Sequence, residues 1–141
     1  MRREDGFSLI ELLIVLLVIG VITALAIPGL RKARQSAQAA SAVQSLRLIT
    51  TAQHLYERRF RVYGALADLA PEGTIDPGLA LGFRSGYNFA LVLGAGGTSF
   101  SATADPDEQP ATTVHYFVDH TGVIRFADGV AATVLSGPIP R

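Results

Sequence analysis

The stretch Gly6-Phe-Ser-Leu-Ile-Glu-Leu-Leu-Ile-Val-Leu-Leu-Val-Ile-Gly-Val-Ile-Thr-Ala-Leu-Ala-Ile-Pro28 decides how the rest of the chain is read. From Leu12 to Ile27 every residue is apolar except Gly20 and Thr23. Extended from Phe7 to Leu30, the run is long enough to cross a bilayer as a helix, which takes about 20 residues. Glu11 is its one charge. A carboxylate costs about 2.5–3.5 kcal/mol at a bilayer centre and less toward the interface, so an acid here is read as functional and needs a cationic partner. No Lys or Arg on the same helix lies within its reach, and Arg2 and Arg3 sit in a short polar leader. A cut after Gly6 would place a new amino group on Phe7, four positions from the acid.

Residues Arg2-Arg-Glu-Asp-Gly6 followed by Phe7-Ser-Leu-Ile-Glu11 and an apolar run resemble the class III signal sequence of type IV pilins and type II secretion pseudopilins. In that family a membrane peptidase cuts after the glycine and methylates the new N-terminal phenylalanine. The glutamate pairs with the amine of a neighbouring subunit as a filament is built. The resemblance therefore makes Gly6 the cleavage position, Phe7 the methylated terminus and Glu11 the assembly carboxylate. Pro28 falls where the family has its helix-kinking proline. The resemblance is specific over about the first 30 residues and architectural beyond them.

A leader and a span leave about 110 residues of the 141, enough for one small core. Hydrophobic residues make up 49% of the chain, and much of that share is the span, so the positive mean hydropathy is no sign of several membrane passes. There is no cysteine, which excludes disulfides, thiol catalysis and Cys-rich metal sites. Many pilins close a C-terminal loop with a disulfide, and this chain departs from that pattern. The leader, residues 1–6, lacks the apolar core and small-residue cut site of a secretory signal, so the apolar segment stays in the mature protein. Lys and Arg flank both ends of the span, and the positive-inside rule does not orient it. A cytoplasmic leader and a periplasmic head follow from the resemblance.

The zero net charge hides an asymmetry. Between Arg31 and Arg61 seven basic residues face one acid, Glu57, whereas residues 62–141 carry three Arg against eight acids. A positive stem on a negative head suits side-by-side packing of copies; the alternative is a solvated basic helix face. Gly20, Thr23 and the pair Pro28-Gly29 are weak points of the helix, where it can bend once neighbouring stems surround it. From Gly29 to about Arg61 apolar residues keep helical spacing: Leu30, Ala33, Ala37, Ala40, Val43, Leu46, Ile49, Ala52, Tyr56, Phe60 and Tyr63. The first part is narrow and alanine-based, the second bulky enough to lie under a sheet. One helix of roughly 55 residues, about 80 Å long, is expected, ending at Gly64.

Residues 64–85 read as a loop with a turn at Asp76-Pro-Gly78. The period then changes to two. Tyr87–Leu93, Ser99–Ala104, Thr112–Val118 and Val123–Phe126 read as short strands of an antiparallel meander that covers the bulky half of the helix, and the tail Ser136–Arg141 reads as extended and exposed. The expected class is α+β: a leader at 1–6, a transmembrane and assembly helix at 7–30, an amphipathic continuation at 31–63 and a β head at 64–141. That arrangement is similar to the pilin fold.

Other chemistry is weighed and set aside. The glycines of Leu93-Gly-Ala-Gly-Gly-Thr98 lack the Gly-Lys-Ser/Thr ending of a phosphate loop and lie between strands, so they read as a hairpin turn. His115, Asp119 and His120 lack a further zinc ligand, and the loop acids Asp105, Asp107 and Glu108 are broken by Pro106 and Pro110 where calcium would want regular alternation. Arg58, Arg59 and Arg61 interleave with Tyr56, Phe60 and Tyr63 as in a single-strand binder, but the aromatics are at core spacing and are expected to point inward, which argues against DNA. No metal, cofactor or catalytic residue is expected, and the chain reads as no enzyme.

The expected function is a structural pilin of a type IV pilus, with no Trp-Gly-Asn-Pro segment of the major pseudopilins in the head. A pseudopilin or minor pilin is the alternative, and a signal-anchored periplasmic module the outsider. The expected partners are copies of the chain in a helical filament, the prepilin peptidase and N-methyltransferase, the inner-membrane assembly machinery and the membrane itself. The chain would reside in the inner membrane before assembly and in an extracellular filament after it.

Overall fold

The computed structural model describes residues 7–71, 73–107 and 114–140. Its first element, α1, runs from Leu9 to Phe60. The chain divides into two compact units between Ser36 and Ala37, and α1 contributes to both. In the first unit every described side chain is exposed. The helix continues through Pro28, and the Thr23 hydroxyl donates to the Ile19 carbonyl at 2.7 Å. That bond gives the hydroxyl a partner within its own helix, as an apolar medium demands.

The second unit packs the C-terminal part of α1 against an antiparallel sheet. The helix buries Ala42, Ser45, Leu46, Ile49, Ala52 and Gln53. The sheet is a six-stranded meander in the order β1 (Phe83–Arg84), β2 (Tyr87–Leu93), β3 (Phe100–Pro106), β4 (Val114–Asp119), β5 (Arg125–Asp128) and β6 (Gly137–Pro138). Strand β3 alternates fully, with Phe100, Ala102, Ala104 and Pro106 buried. Ala102 and Ala104 join Leu46, Ile49, Tyr87, Phe89, Tyr116 and Val118 in one core. The small side chains of β3 leave room for the bulky ones on α1. A 3-10 turn at Leu66–Leu69 and the short helix α2 at Pro77–Ala80 close the core with Leu69 and Leu79. Asp76 caps α2 by accepting from the Leu79 N–H at 3.1 Å.

Turn chemistry sets the register. Strands β1 and β2 join through Ser85-Gly86, both at positive φ (53° and 78°), as a two-residue hairpin of right-handed twist requires. The glycine-rich stretch connects β2 to β3, with Gly96 and Gly97 both at φ 67°.

Four details differ from the reading of the sequence. The helix ends at Phe60, not at Gly64: Arg61 adopts φ 64° and its N–H donates to the Glu57 carbonyl at 2.7 Å, a left-handed stop on a non-glycine residue. The buried face is centred on residues 42–53, so Phe60, in the bulky half of the stripe expected to lie under the sheet, is exposed. Phe60 lies 4.4 Å from the Tyr56 ring, with the Arg59 guanidinium 5.2 Å above it. Two strands add to the expected four, both only two residues long and too short to show a period. One of them, β6, uses the tail: it pairs with β5, and Ile139 packs against the core and donates its N–H to the Ile124 carbonyl at 3.0 Å. Pro138 is tolerated because it occupies a sheet edge.

Gln53 holds the end of the helix to the loop. Its buried amide donates to the Gly64 carbonyl at 2.6 Å and accepts the Gly64 N–H at 3.0 Å. Gly64 has no room for a side chain, since a Cβ there would come within 2.9 Å of the Tyr56 ring. Gln53→Leu removes both partners of a buried peptide unit and should destabilise the head by about 1–3 kcal/mol for each group left unpaired, read as a lower urea midpoint with unchanged slope. Tyr87 supplies a second test. Its hydroxyl donates to the Val114 carbonyl at 2.9 Å, and burial, with the nearby Tyr116, pushes its pKa up to about 12 from 10.0. The folded state thus keeps a proton that the unfolded chain loses first. Its contribution is intact below pH 10 and drains away as pH rises toward about 12. Tyr87→Phe should flatten that alkaline loss in pH-dependent unfolding.

Candidate assembly site in the N-terminal segment

The start of α1 is built from few groups. Gly6, with Arg2 and Arg3, lies outside the described residues. Phe7 precedes the helix and is 75% exposed. The Ser8 carbonyl accepts the N–H groups of Glu11 and Leu12 at 3.0 and 3.1 Å, which places Glu11 in the first turn. There the uncompensated N–H groups and the helix dipole favour a negative charge. Ser8-x-x-Glu11 also has the spacing of a capping box, a local reason for the helix to begin at Leu9.

Beyond Glu11 no ionisable side chain occurs until Arg31, and the large apolar side chains from Leu12 to Leu30 are all exposed. By length and composition α1 can cross a membrane. Pro28 has no N–H to give the Ala24 carbonyl, so one backbone acceptor in this segment lacks its helical donor. The segment therefore presents one carboxylate at the start of an otherwise uncharged apolar run of helix.

The residues weighed as metal ligands are engaged in separate pairs. His115 Nδ1 meets Asp105 Oδ1 at 2.6 Å across β3 and β4, while Asp119 accepts from the Thr121 N–H at 2.9 Å and from the Thr121 hydroxyl. Burial opposes the charge on Asp119, but the Thr121 bonds, with His120 and Arg125 nearby, hold its carboxyl below the usual range. Asp107 accepts from the Asn88 amide at 3.1 Å, and Glu108 lies outside the described residues. Among the described residues no group of three or more His, Asp or Glu is placed to hold a metal ion. The Asp105–His115 pair escaped the sequence reading because the two residues are ten apart, and only the hairpin register sets them opposite each other. The aromatics near the basic turn do not all face inward: Tyr56 and Tyr63 are half-buried, whereas Phe60 is exposed beside Arg58, Arg59 and Arg61.

The long apolar N-terminal helix followed by an antiparallel sheet is an α+β architecture consistent with the pilin fold. No curated protein and no solved structure matches the chain. A family model described as the prokaryotic N-terminal methylation motif matches residues 1–27. The motif points to a structural subunit processed by a prepilin peptidase, and the apolar helix fits membrane anchoring before assembly. Residues 1–27 thus carry the N-terminal methylation motif, the class III signal sequence of type IV pilins and pseudopilins.

Proposed function

We propose that the chain is the structural subunit of a type IV pilus, trimmed after Gly6, methylated on Phe7 and drawn from the inner membrane into a filament whose core is packed α1 helices. The observation that carries the reading is Glu11, an acid in the first turn of a helix whose next nineteen residues bear no charge. An isolated carboxylate there gains most from a fixed amine, and the trimmed terminus of a neighbouring copy supplies one. Transfer of stems from lipid into a bundle keeps their apolar surface away from water, and the Glu11–amine pair then sets the axial register. The exposed alanines Ala33, Ala37 and Ala40 allow the stems to approach closely beyond the span. In a filament core Pro28 and Gly29 are where the helix would yield, since the Ala24 carbonyl already lacks a donor.

Intact-mass and N-terminal peptide analysis of filaments sheared from the cell surface, beside washed inner membrane, tests the reading. Abundant chain beginning at methylated Phe7 in the sheared fraction is expected. Chain confined to the membrane but trimmed to Phe7 would point to a pseudopilin, and chain retaining Met1 would defeat the filament reading altogether. In a Glu11→Ala strain trimming should persist while sheared filament falls at least tenfold; an undiminished yield would remove the role assigned to the carboxylate.

A further inference from the structure

The two edges of the sheet carry unlike apolar surfaces at nearly the same level of α1. At the β1 edge Leu81 is 88% exposed and Phe83 48% exposed, an apolar knob just past α2. At the other edge Val43, Val114, Tyr116, Phe126, Ile139 and Pro140 line an apolar groove of about 340 Å³. The β1–β2 turn sits beside residues 38–41 of α1: the Ser41 hydroxyl donates to the Ser85 hydroxyl at 3.0 Å, and a Cβ on Gly86 would come within 2.7 Å of the Gln38 amide. Val43 enters the groove within about one helical turn of that level, some 5.4 Å along the axis.

Charge agrees with shape. Beside the knob, Arg84 bridges to Asp76 at 3.0 Å, and both side chains are more than one third exposed. Beside the groove, Asp128 is the register partner of Val114, and Arg47 lies one turn beyond Val43 on the same helical face; both are exposed. Each edge thus carries one cation and one anion at least partly exposed, so that across a contact the bridged Arg84 can share Asp128 and Asp76 can share Arg47.

We propose that the β1 edge of one copy docks into the β5–β6 groove of a second copy, with Leu81 and Phe83 filling the groove. The inference rests on the filament reading, because it sets two copies side by side with their α1 segments parallel. The contact is heterologous: each copy uses one edge to give and the other to receive, so it propagates without closing. It also covers apolar surface at both edges of the sheet, where two-residue strands leave little backbone to pair.

The chain has no cysteine, so introduced ones report a single contact. Full-length L81C/P140C chain, oxidised in intact membranes and in sheared filaments, should form a covalent ladder of multimers, because a disulfide needs Cα atoms within about 7 Å. Both positions are exposed and neither change disturbs the core. Dimers from L81C alone would show a symmetric contact and overturn the proposal. Trimmed, assembled chain without a ladder would overturn it while leaving the filament reading intact, whereas unassembled chain retaining Met1 and giving no ladder would remove both. As a second readout, Leu81→Glu should lower sheared filament at least tenfold at unchanged chain abundance, with Val92→Glu on the sheet's outer face as a neutral control. Equal yields for the two variants would count against the docking.

Discussion

The apolar surface of α1 between Leu9 and Leu30 is the constraint on which the rest of this protein depends. Fifteen large aliphatic side chains are exposed there. Burying each is worth about 1.5–3 kcal/mol, so the sum reaches tens of kcal/mol, against the roughly 5–15 kcal/mol that holds a typical domain together. The second unit has its own core, closed by its own helix segment and sheet, and nothing in that core draws on residues 9–30. The segment therefore needs an apolar covering that the second unit does not supply. Thr23 suits such a covering by bonding to its own helix, and Glu11 by sitting at the helix start, where the dipole favours its charge.

The second unit solves a different problem, that of a small core without disulfides. It does so by matching small residues on β3 to large ones on α1 and by fixing the chain reversal after the helix with side-chain hydrogen bonds. Gln53 is the clearest case, because a fully buried amide is tolerable only where both of its hydrogen-bonding ends are met. The Gly64 peptide meets both. The Asp105–His115 and Asn88–Asp107 pairs act similarly on the outer side of the β2–β4 hairpins, holding polar groups by partners rather than by burial.

Charge is distributed unevenly along the chain. Between Glu11 and Glu57 the helix carries no acid, while the charged residues after it are mostly acidic. The proposed parallel packing of copies is compatible with that pattern, because basic helix residues would then face the more acidic head of another copy rather than one another. Short edge strands at β1 and β6 keep such packing from becoming open-ended strand addition.

The sequence by itself determined the long apolar helical run and its one acid, the class of fold and one strand, Tyr87–Leu93, to the residue. These are local patterns: an unbroken apolar run, an isolated charge and a period of two between glycine turns. Tertiary structure decided where α1 stops, which face it buries, that the tail becomes a strand and that Asp105 meets His115. None of these is local. The stop at Arg61 and the burial of Gln53 depend on a sheet that covers the helix only over residues 38–56, and β6 exists only because β5 offers an edge. The partnership of Asp105 with His115 depends on a hairpin register that no residue type in either strand specifies.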